Sequence, residues 1–462
     1  MEVNAVSPFD RVLKSRDVLT LAFGAMIGWS WVLMTGYWVS TAGTLGTAAA
    51  FLVGGVAIAL IGLTYAELAS AMPKAGGEHV YTLRALGPTA SFICTWALLM
   101  AYVAVCLFES VALPTALEFL VPAIRFHELW KVQEASVDLG FVLVGIGGAI
   151  VMTWINLRGI RTAARVQSIV TLAILISGVL LISGAISFGS ADNMVPLMTN
   201  GSTGLLAVLI MVPAMLVGFD VIPQSAEEID LPPRRIGVLL VISVLLAVAW
   251  YVAISLSVAA GLDATALADS EMATADAASA LWGTSWAGSL LVVGGIGGIL
   301  TSWNAFIIGG SRVMFALGES GMLPRAFARI HPRYHTPHVS VLCIGVLSCL
   351  SPLFGRTILV WLIDAGSFAV VVAYIFVPLS FLALRRREPD MPRPFRLPAG
   401  RFIGALAALL GCALLTLYLP WSPAALIWPQ EWLLVLGWSL LGGVFYLYFR
   451  LSSARADQNS AA

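Results

Sequence analysis

Long apolar runs separated by short polar segments fill this chain. A bilayer-crossing helix needs about 20 apolar residues. Runs of that kind lie near 18–41, 45–69, 88–120, 139–157, 165–187, 202–222, 236–260, 287–317, 339–353, 357–384, 402–420 and 431–450. The pattern predicts twelve spans, the ninth of them short. The longest polar stretches fall near 121–138 and 261–286 on one side and near 318–338 and 385–401 on the other, and none is long enough for a soluble domain.

Composition agrees. The 462 residues are 59% hydrophobic and 11% charged, with mean hydropathy +0.93, whereas soluble domains carry about 25% charged residues. An all-α polytopic membrane protein follows. Cytoplasmic loops collect Lys and Arg. With the N-terminus inside, all 25 Lys and Arg except Arg125, Lys131 and Arg356 fall in inner segments. This puts both termini on the cytoplasmic face of the cytoplasmic (inner) membrane and supports an even number of spans. The outer 261–276 stretch holds Asp263, Asp269, Glu271 and Asp276 and no base.

Chemistry by cofactor finds no support. The five cysteines sit in apolar runs without metal-ligand or redox spacing. No P-loop points to direct use of ATP. No nucleophile–base pairing suggests an enzyme, and nothing addresses nucleic acid. Residues 1–16 are polar, and the apolar run that follows is too long and too glycine-rich for a cleaved signal peptide.

Two spans carry residues that an anchor helix does not need. Leu19–Thr35, LTLAFGAMIGWSWVLMT, places Gly24, Gly28, Ser30, Trp29 and Trp31 in mid-span. Each Gly costs about 1 kcal/mol of helix stability relative to Ala. Gly24 and Gly28 fit a small-xxx-small packing motif. They also fit an unwound stretch whose freed backbone lines a cavity. The sixth span has Pro213, Gly218, Asp220 and Pro223 within about three turns. Two interrupted spans at matching places in two halves predict an inverted-repeat transporter with its site between them.

Charges at membrane depth need a reason, because each costs at least about 2.5–3.5 kcal/mol. Glu109 lies well inside the third span. It carries a coupling proton, meets a cationic substrate group, or is a hydrogen-bonded structural carboxyl. Asp220, at the break of span six, caps a half-helix, gates or titrates. Glu67 is expected at the inner end of span two, bonded to the loop that follows. Glu227 and Glu228 read as an inner-gate pair facing arginines or as a solvated helix end. Asp364 reads as an outer-interface acid. In span eight, Trp303 and Asn304 are expected to face the site, with Thr301 and Ser302 as nearby hydroxyls. His331, His335 and His338 read as solvated inner-loop residues.

Four motifs carry a family likeness. They are Tyr65-Ala66-Glu67-Leu68 with PKAGGEHVY from Pro73; Gly218-Phe219-Asp220 with Glu227-Glu228 and Pro232; Ser311-Arg312 with GMLP from Gly321 and Thr336-Pro337; and RPFRLP from Arg393. From about residue 17 onward the chain resembles the amino acid–polyamine–organocation (APC) permeases. The resemblance implies a LeuT-like 5+5 inverted repeat plus two C-terminal helices. Segment boundaries are then a cytoplasmic tail 1–16, a first repeat 17–187, a second repeat 188–385, the last two spans with their preceding loop 386–450, and a tail 451–462. The substrate implied is an amino acid or small amine. Its carboxylate would meet amides near Gly28, Trp29 and Ser30, and its amino group carbonyls of Ala25, Met26 and Ile27. Ala214, Met215, Val217 and Gly218 would lie across the site.

Three departures qualify the likeness. Gly28 is followed by Trp29 rather than a tiny residue, so pocket size hinges on where that ring points. The aromatic gate of span six is replaced by Pro213 and Ala214, leaving Phe219 or Trp29 to serve. The Lys that some proton-coupled members carry in span five is Ile174 here. The reading is a secondary active transporter working by alternating access, with proton-coupled uptake through Glu109 or Asp220. The partners are substrate, protons and membrane lipid. Amino acid exchange is the alternative, and a transporter-like amino acid sensor is an alternative of another class.

Overall fold

A computed structural model describes residues 8–132, 135–270, 272–422 and 425–461, with side chains described up to residue 452. Glu271 and residues 1–7 of the N-terminal tail lie outside the described residues, as does the side chain of Arg455.

The apolar runs fold as helices packed side by side. Eight are long and apolar enough to cross a membrane: α4 (Thr44–Ala71), α6 (Pro88–Leu120), α7 (Leu139–Leu157), α8 (Ile160–Phe188), α12 (Pro233–Gly261), α15 (Ser285–Glu319), α17 (Ile358–Arg387) and α19 (Gln430–Ala461). Shorter apolar stretches are α9 (Gly201–Leu209) with α10 (Val212–Met215), α16 (His338–Leu350) and α18 (Gly400–Thr416). Outward faces are apolar: Val56 and Val179 are each 61% exposed and Leu440 is 72% exposed. Such a belt is stable only in a hydrocarbon solvent, so the chain is a multi-pass membrane protein.

The first and sixth spans are interrupted. The first is α1 (Ser15–Met26), α2 (Ser30–Leu33) and α3 (Thr35–Ala42). Backbone at Ile27 leaves the helical region, with φ −102° and ψ 71°. The sixth is α9, α10 and α11 (Val221–Gln224), with Gly218 at φ +130°. Only glycine adopts that angle without strain.

The mid-span glycines divide between packing and cavity. A Cβ on Gly24 would come within 2.4 Å of Gln167 and 2.9 Å of Thr301, so Gly24 lets α1 press against α8 and α15. Gly28 instead faces Glu109 and Ser302. At Gly298 on α15, a Cβ would lie 2.4 Å from the Gly28 carbonyl oxygen, so this glycine accepts the unwound backbone.

The polar stretches hold more structure than their sequence suggests. Within 121–138 a two-stranded antiparallel hairpin forms, β1 (Glu128–Val132) and β2 (Ala135–Asp138). Within 261–286, α13 (Ala264–Asp269) and α14 (Ala273–Trp282) fold inward. The small residues of α14 (Ala273, Ala275, Ala277 and Ala278) are buried, and Thr274 donates to the Trp31 carbonyl at 3.2 Å. A further helix, α5 (Glu78–Leu86), follows the Gly76–Gly77 turn.

The end of the bundle bearing the N-terminus is closed by ion pairs and backbone. Arg312 and Glu228, each 1% exposed, form a two-bond pair. The amides of Val12 and Leu13 both donate to the Glu228 carbonyl at 2.9 Å, and Lys14 pairs with Asp230. Phe9 lies edge-on to Phe315, with the Arg312 guanidinium 5.8 Å from its ring.

Candidate functional site

The two breaks touch. A Cβ on Gly218 would stand 2.7 Å from the Ala25 Cβ and 3.0 Å from the Met26 amide nitrogen. Beside this contact lies a cavity of about 80 Å³. Ala25, Met26, Gly28, Trp29 and Ser30 line it from the first break, and Ala214, Met215 and Val217 from the sixth span. Its remaining walls are Ala101, Ala104, Val105, Phe108 and Glu109 of α6, Ser302 and Phe306 of α15, and Leu362, Ile363, Gly366, Ser367 and Val370 of α17. The surface is mostly apolar, so its few polar groups stand out.

The first of these is backbone. The Ile27 amide bonds back to Phe23 at 2.9 Å, and the Met34 amide to Ser30 at 2.8 Å. Between them, the amides of Gly28, Trp29, Ser30 and Trp31 donate to no backbone carbonyl among the described residues. Freed amides at the start of a helical turn attract negative charge. Tyr251 staples the break: its hydroxyl donates to the Met26 carbonyl at 2.8 Å and lies 3.1 Å from the Ser30 Oγ. Of the three expected carbonyls, that of Met26 is therefore already engaged. Ile27 is fully buried and off the cavity wall.

The second polar group is Glu109, 2% exposed. Its Oε1 lies 3.2 Å from where a Gly28 Cβ would be, with Ser302 Oγ 3.5 Å from the same point. Its Oε2 has no hydrogen-bond partner among the described residues. Two other buried acids, Glu67 and Glu228, are ion-paired. Glu67 bonds to Arg385 at 2.5 Å and Arg393 at 3.1 Å, and Glu228 bonds to Arg312 at 2.6 Å.

Asp220 is off the wall, one layer toward the N-terminal end. It accepts from the Tyr102 hydroxyl at 2.5 Å and from the Gly218 amide at 2.8 Å, fixing the turn that follows the break. Phe219 stacks on Tyr374 at 5.5 Å and meets Tyr65 edge-on at 5.3 Å. None of these three rings is on the cavity wall; they form an aromatic layer on its Asp220 side. Beneath it, Gln224 donates to Glu78. His79 beside it is buried, which pulls its imidazole down to about 4, and its Nδ1 lies 3.0 Å from the Ser91 hydroxyl.

Several sequence expectations meet a different geometry. Trp303 and Asn304 stand on another face of α15. Asn304 donates to Gln167 at 2.8 Å and to the Ala163 carbonyl, and accepts from Asn156 at 2.9 Å, while Trp303 packs toward Gly148 of α7. The span-eight residues on the cavity are Ser302 and Phe306, one position before and two after that pair. Glu67 reaches the Leu397 amide and Arg393 rather than the loop after its own helix. Asp364 faces Glu431 of α19 instead of open interface. His331 is not simply solvated: its Nδ1 accepts the Arg333 amide at 3.1 Å and closes a turn. Trp29 contributes to the cavity wall, with its ring edge set against Gly295 of α15, whereas Trp31 packs on Trp250 at 5.5 Å. Ile174 is buried against Gly297, and the polar groups that α8 turns to α1 are Gln167, Ser168 and Thr171.

The α17 wall and the tyrosine layer were not foreseen. For Tyr102 a signal existed: it precedes Glu109 by seven residues, two helical turns, and so shares its face. Nothing in the local sequence marks Leu362, Ile363 or Val370.

A polytopic helical bundle with a buried, mostly apolar cavity at the junction of two interrupted spans defines a membrane carrier. The family is the amino acid permeases, to which the chain belongs: the family model with that description matches residues 13–442. Similar proteins include the branched-chain amino acid permease BcaP of Bacillus subtilis (strain 168), 26% identical over 97% of this chain and 95% of the relative. Another is the aspartate-proton symporter of the same organism, 24% identical over 98% and 86%. A third is cationic amino acid transporter 4 of Mus musculus, 28% identical over 83% and 61%. Their names cover apolar, acidic and basic amino acids, so side-chain preference is not a property this family shares.

Proposed function

We propose that the chain is a secondary active transporter that carries an amino acid across the inner membrane by proton-coupled uptake. Twelve spans make up the carrier: α1–α3, α4, α6, α7 and α8 form one five-span repeat (17–187), and α9–α11, α12, α15, α16 and α17 form its inverted partner (188–385). The last two spans, α18 and α19, stand outside the repeats. The basic end, with both termini, faces the cytoplasm, as the skew of Lys and Arg supports.

One observation carries this reading: the amides of Gly28, Trp29 and Ser30, without a backbone partner among the described residues, stand at the cavity with the buried carboxyl of Glu109, whose Oε2 is unpartnered among those residues. The substrate carboxylate sits on those amides. Its amino group meets the Ala25 carbonyl, across from Ala214, Met215 and Val217. The apolar walls at Ala101, Ala104 and Val370 take a small to medium aliphatic side chain. Trp29 limits its size. Glu109 and Asp220 exchange the coupling proton, and Phe219 with its tyrosine neighbours is the inner barrier that must part. That the relative named aspartate-proton symporter aligns over nearly the whole chain favours a proton as driving ion.

The test is uptake of radiolabelled amino acids into proteoliposomes with and without an inward proton gradient. Gradient-dependent uptake that falls in Glu109→Gln supports the proposal. Uptake indifferent to the gradient but dependent on unlabelled amino acid inside would make the protein an exchanger. Saturable binding without flux would make it a sensor.

A further inference from the structure

Beneath the aromatic layer lies a further acid that the transport cycle described above does not use. Glu78 opens α5 and is fully buried. Its Oε2 accepts from Gln224 and its Oε1 has no hydrogen-bond partner among the described residues. The groups around it come from four neighbouring elements. Tyr65 faces it from α4, Cys94 and Tyr102 from α6, Asp220 and Gln224 from the sixth span, and Tyr374 from α17; His79 and Tyr81 are its own helix neighbours. No arginine or lysine is among them, unlike the surroundings of Glu67 and Glu228. Burial, reinforced by the Asp220 carboxyl, pushes Glu78 well above the usual carboxylate range.

A glutamine here would satisfy the same packing without the cost of a buried acid. Capping α5 does not require an acid of this burial either. What an acid adds is a place to hold a proton. The path from Asp220 is built of hydroxyls. Tyr374 faces Asp220, Tyr65 faces Glu78, and the two rings are 6.1 Å apart. Among the described residues neither hydroxyl has a hydrogen-bond partner at normal length, so a small turn of either ring bridges to the carboxyl it faces.

We propose that Glu78 is a third proton-carrying carboxyl, which receives the transported proton from Asp220 and releases it at the cytoplasmic end. In this step the proton leaves an Asp220 oxygen and ends on the Glu78 Oε1, so Asp220 becomes the carboxylate and Glu78 the acid. Gln224 ties the step to conformation. It sits on α11 after the break of span six, so movement of that half-span breaks the Gln224–Glu78 bond and opens Glu78 to water. The inference rests on the proton-coupled reading above.

The test compares two fluxes in proteoliposomes, gradient-driven accumulation and exchange at equal pH on both sides. Glu78→Gln, which keeps volume and the Gln224 contact, is expected to retain exchange while its accumulation ratio falls to unity. Glu78→Asp is expected to keep accumulation, with a displaced pH midpoint. Accumulation by Glu78→Gln at the wild-type ratio overturns the proposal. If wild type itself ignores the gradient, the coupling reading falls with it, and that failure shows in the wild-type arm alone. Should Glu78→Gln not fold, Gln224→Ala decides: loss of a donor to the carboxylate is expected to raise the pH midpoint of uptake, and an unmoved midpoint refutes a proton on Glu78.

Discussion

Arg312→Met is the substitution with the clearest magnitude. Arg312 and Glu228 are each 1% exposed, and the guanidinium donates to the carboxylate at 3.0 and 2.6 Å. Methionine keeps most of the volume and removes the charge. The Glu228 carboxylate then remains buried without its cation, which costs about 3–5 kcal/mol. Loss of the guanidinium from above Phe9 accounts for roughly 1 kcal/mol of packing and cation–π energy in addition. Removing both charges, in Arg312→Met with Glu228→Gln, is expected to recover most of the deficit, because neutral groups carry no desolvation penalty of that size. The pH dependence has a definite sign. Burial raises the Glu228 pKa and Arg312 pulls it back down. A carboxyl whose folded pKa is raised supports folding below its unfolded pKa, and that support disappears as pH climbs through the folded value. Removing Arg312 enlarges the rise. The deficit is therefore expected to be larger at the higher of two pH values, near 7.5, than at the lower, near 5.5. SDS-titrated unfolding of the purified protein at both pH values measures it. A cost below about 1 kcal/mol, typical of a solvent-exposed pair, or a deficit independent of pH, refutes the reasoning.

Gly218→Ala is expected to destabilise by about 1–3 kcal/mol from backbone strain alone, since its φ is +130° and its Cβ would meet Ala25 at 2.7 Å. Gly443→Ala, on an exposed helix face with nothing within 4 Å, is expected to change stability in the opposite direction by about 1 kcal/mol; effects of the same sign in SDS titration would contradict this. Trp29→Ala and Asn304→Ala separate cavity from scaffold. The first is expected to change substrate affinity, measured by calorimetric or scintillation-proximity binding. The second leaves Asn156 and Gln167 short of a partner, which costs about 1–3 kcal/mol of stability with affinity unchanged. A large affinity loss in Asn304→Ala would return that residue to the site.

Most spans could be read from hydrophobic length, and the two breaks from glycine and proline, because both signals are local. Gly24 shows where locality stops. The same Gly24-x-x-x-Gly28 pair suited close packing or an opened backbone, and the structure uses one glycine for each. Trp303 and Asn304 show it again. Four consecutive residues of α15, Thr301 to Asn304, are polar or aromatic enough to face a site, and a rotation of about 100° per residue decides which do. Helix α14 looked like an acidic outer loop, yet its alanine face is buried against α3 and α15.

What belongs to the sequence, then, is the membrane class, the placement of the spans, the basic end and the two interrupted helices. Each follows from nearest-neighbour chemistry: transfer of apolar side chains to lipid, the position of Lys and Arg, and the backbone cost of Gly and Pro. The cavity is a different kind of fact. It exists because Gly218 meets Ala25 nearly two hundred positions away in the chain, and because α6, α15 and α17 turn particular faces toward that contact. Tertiary packing likewise decided that Glu67 and Glu228 find arginines while Glu78 and Glu109 do not. A buried carboxyl looks the same in sequence whether or not a cation waits for it, and only the folded neighbourhood tells a structural ion pair from an acid left free to hold a proton.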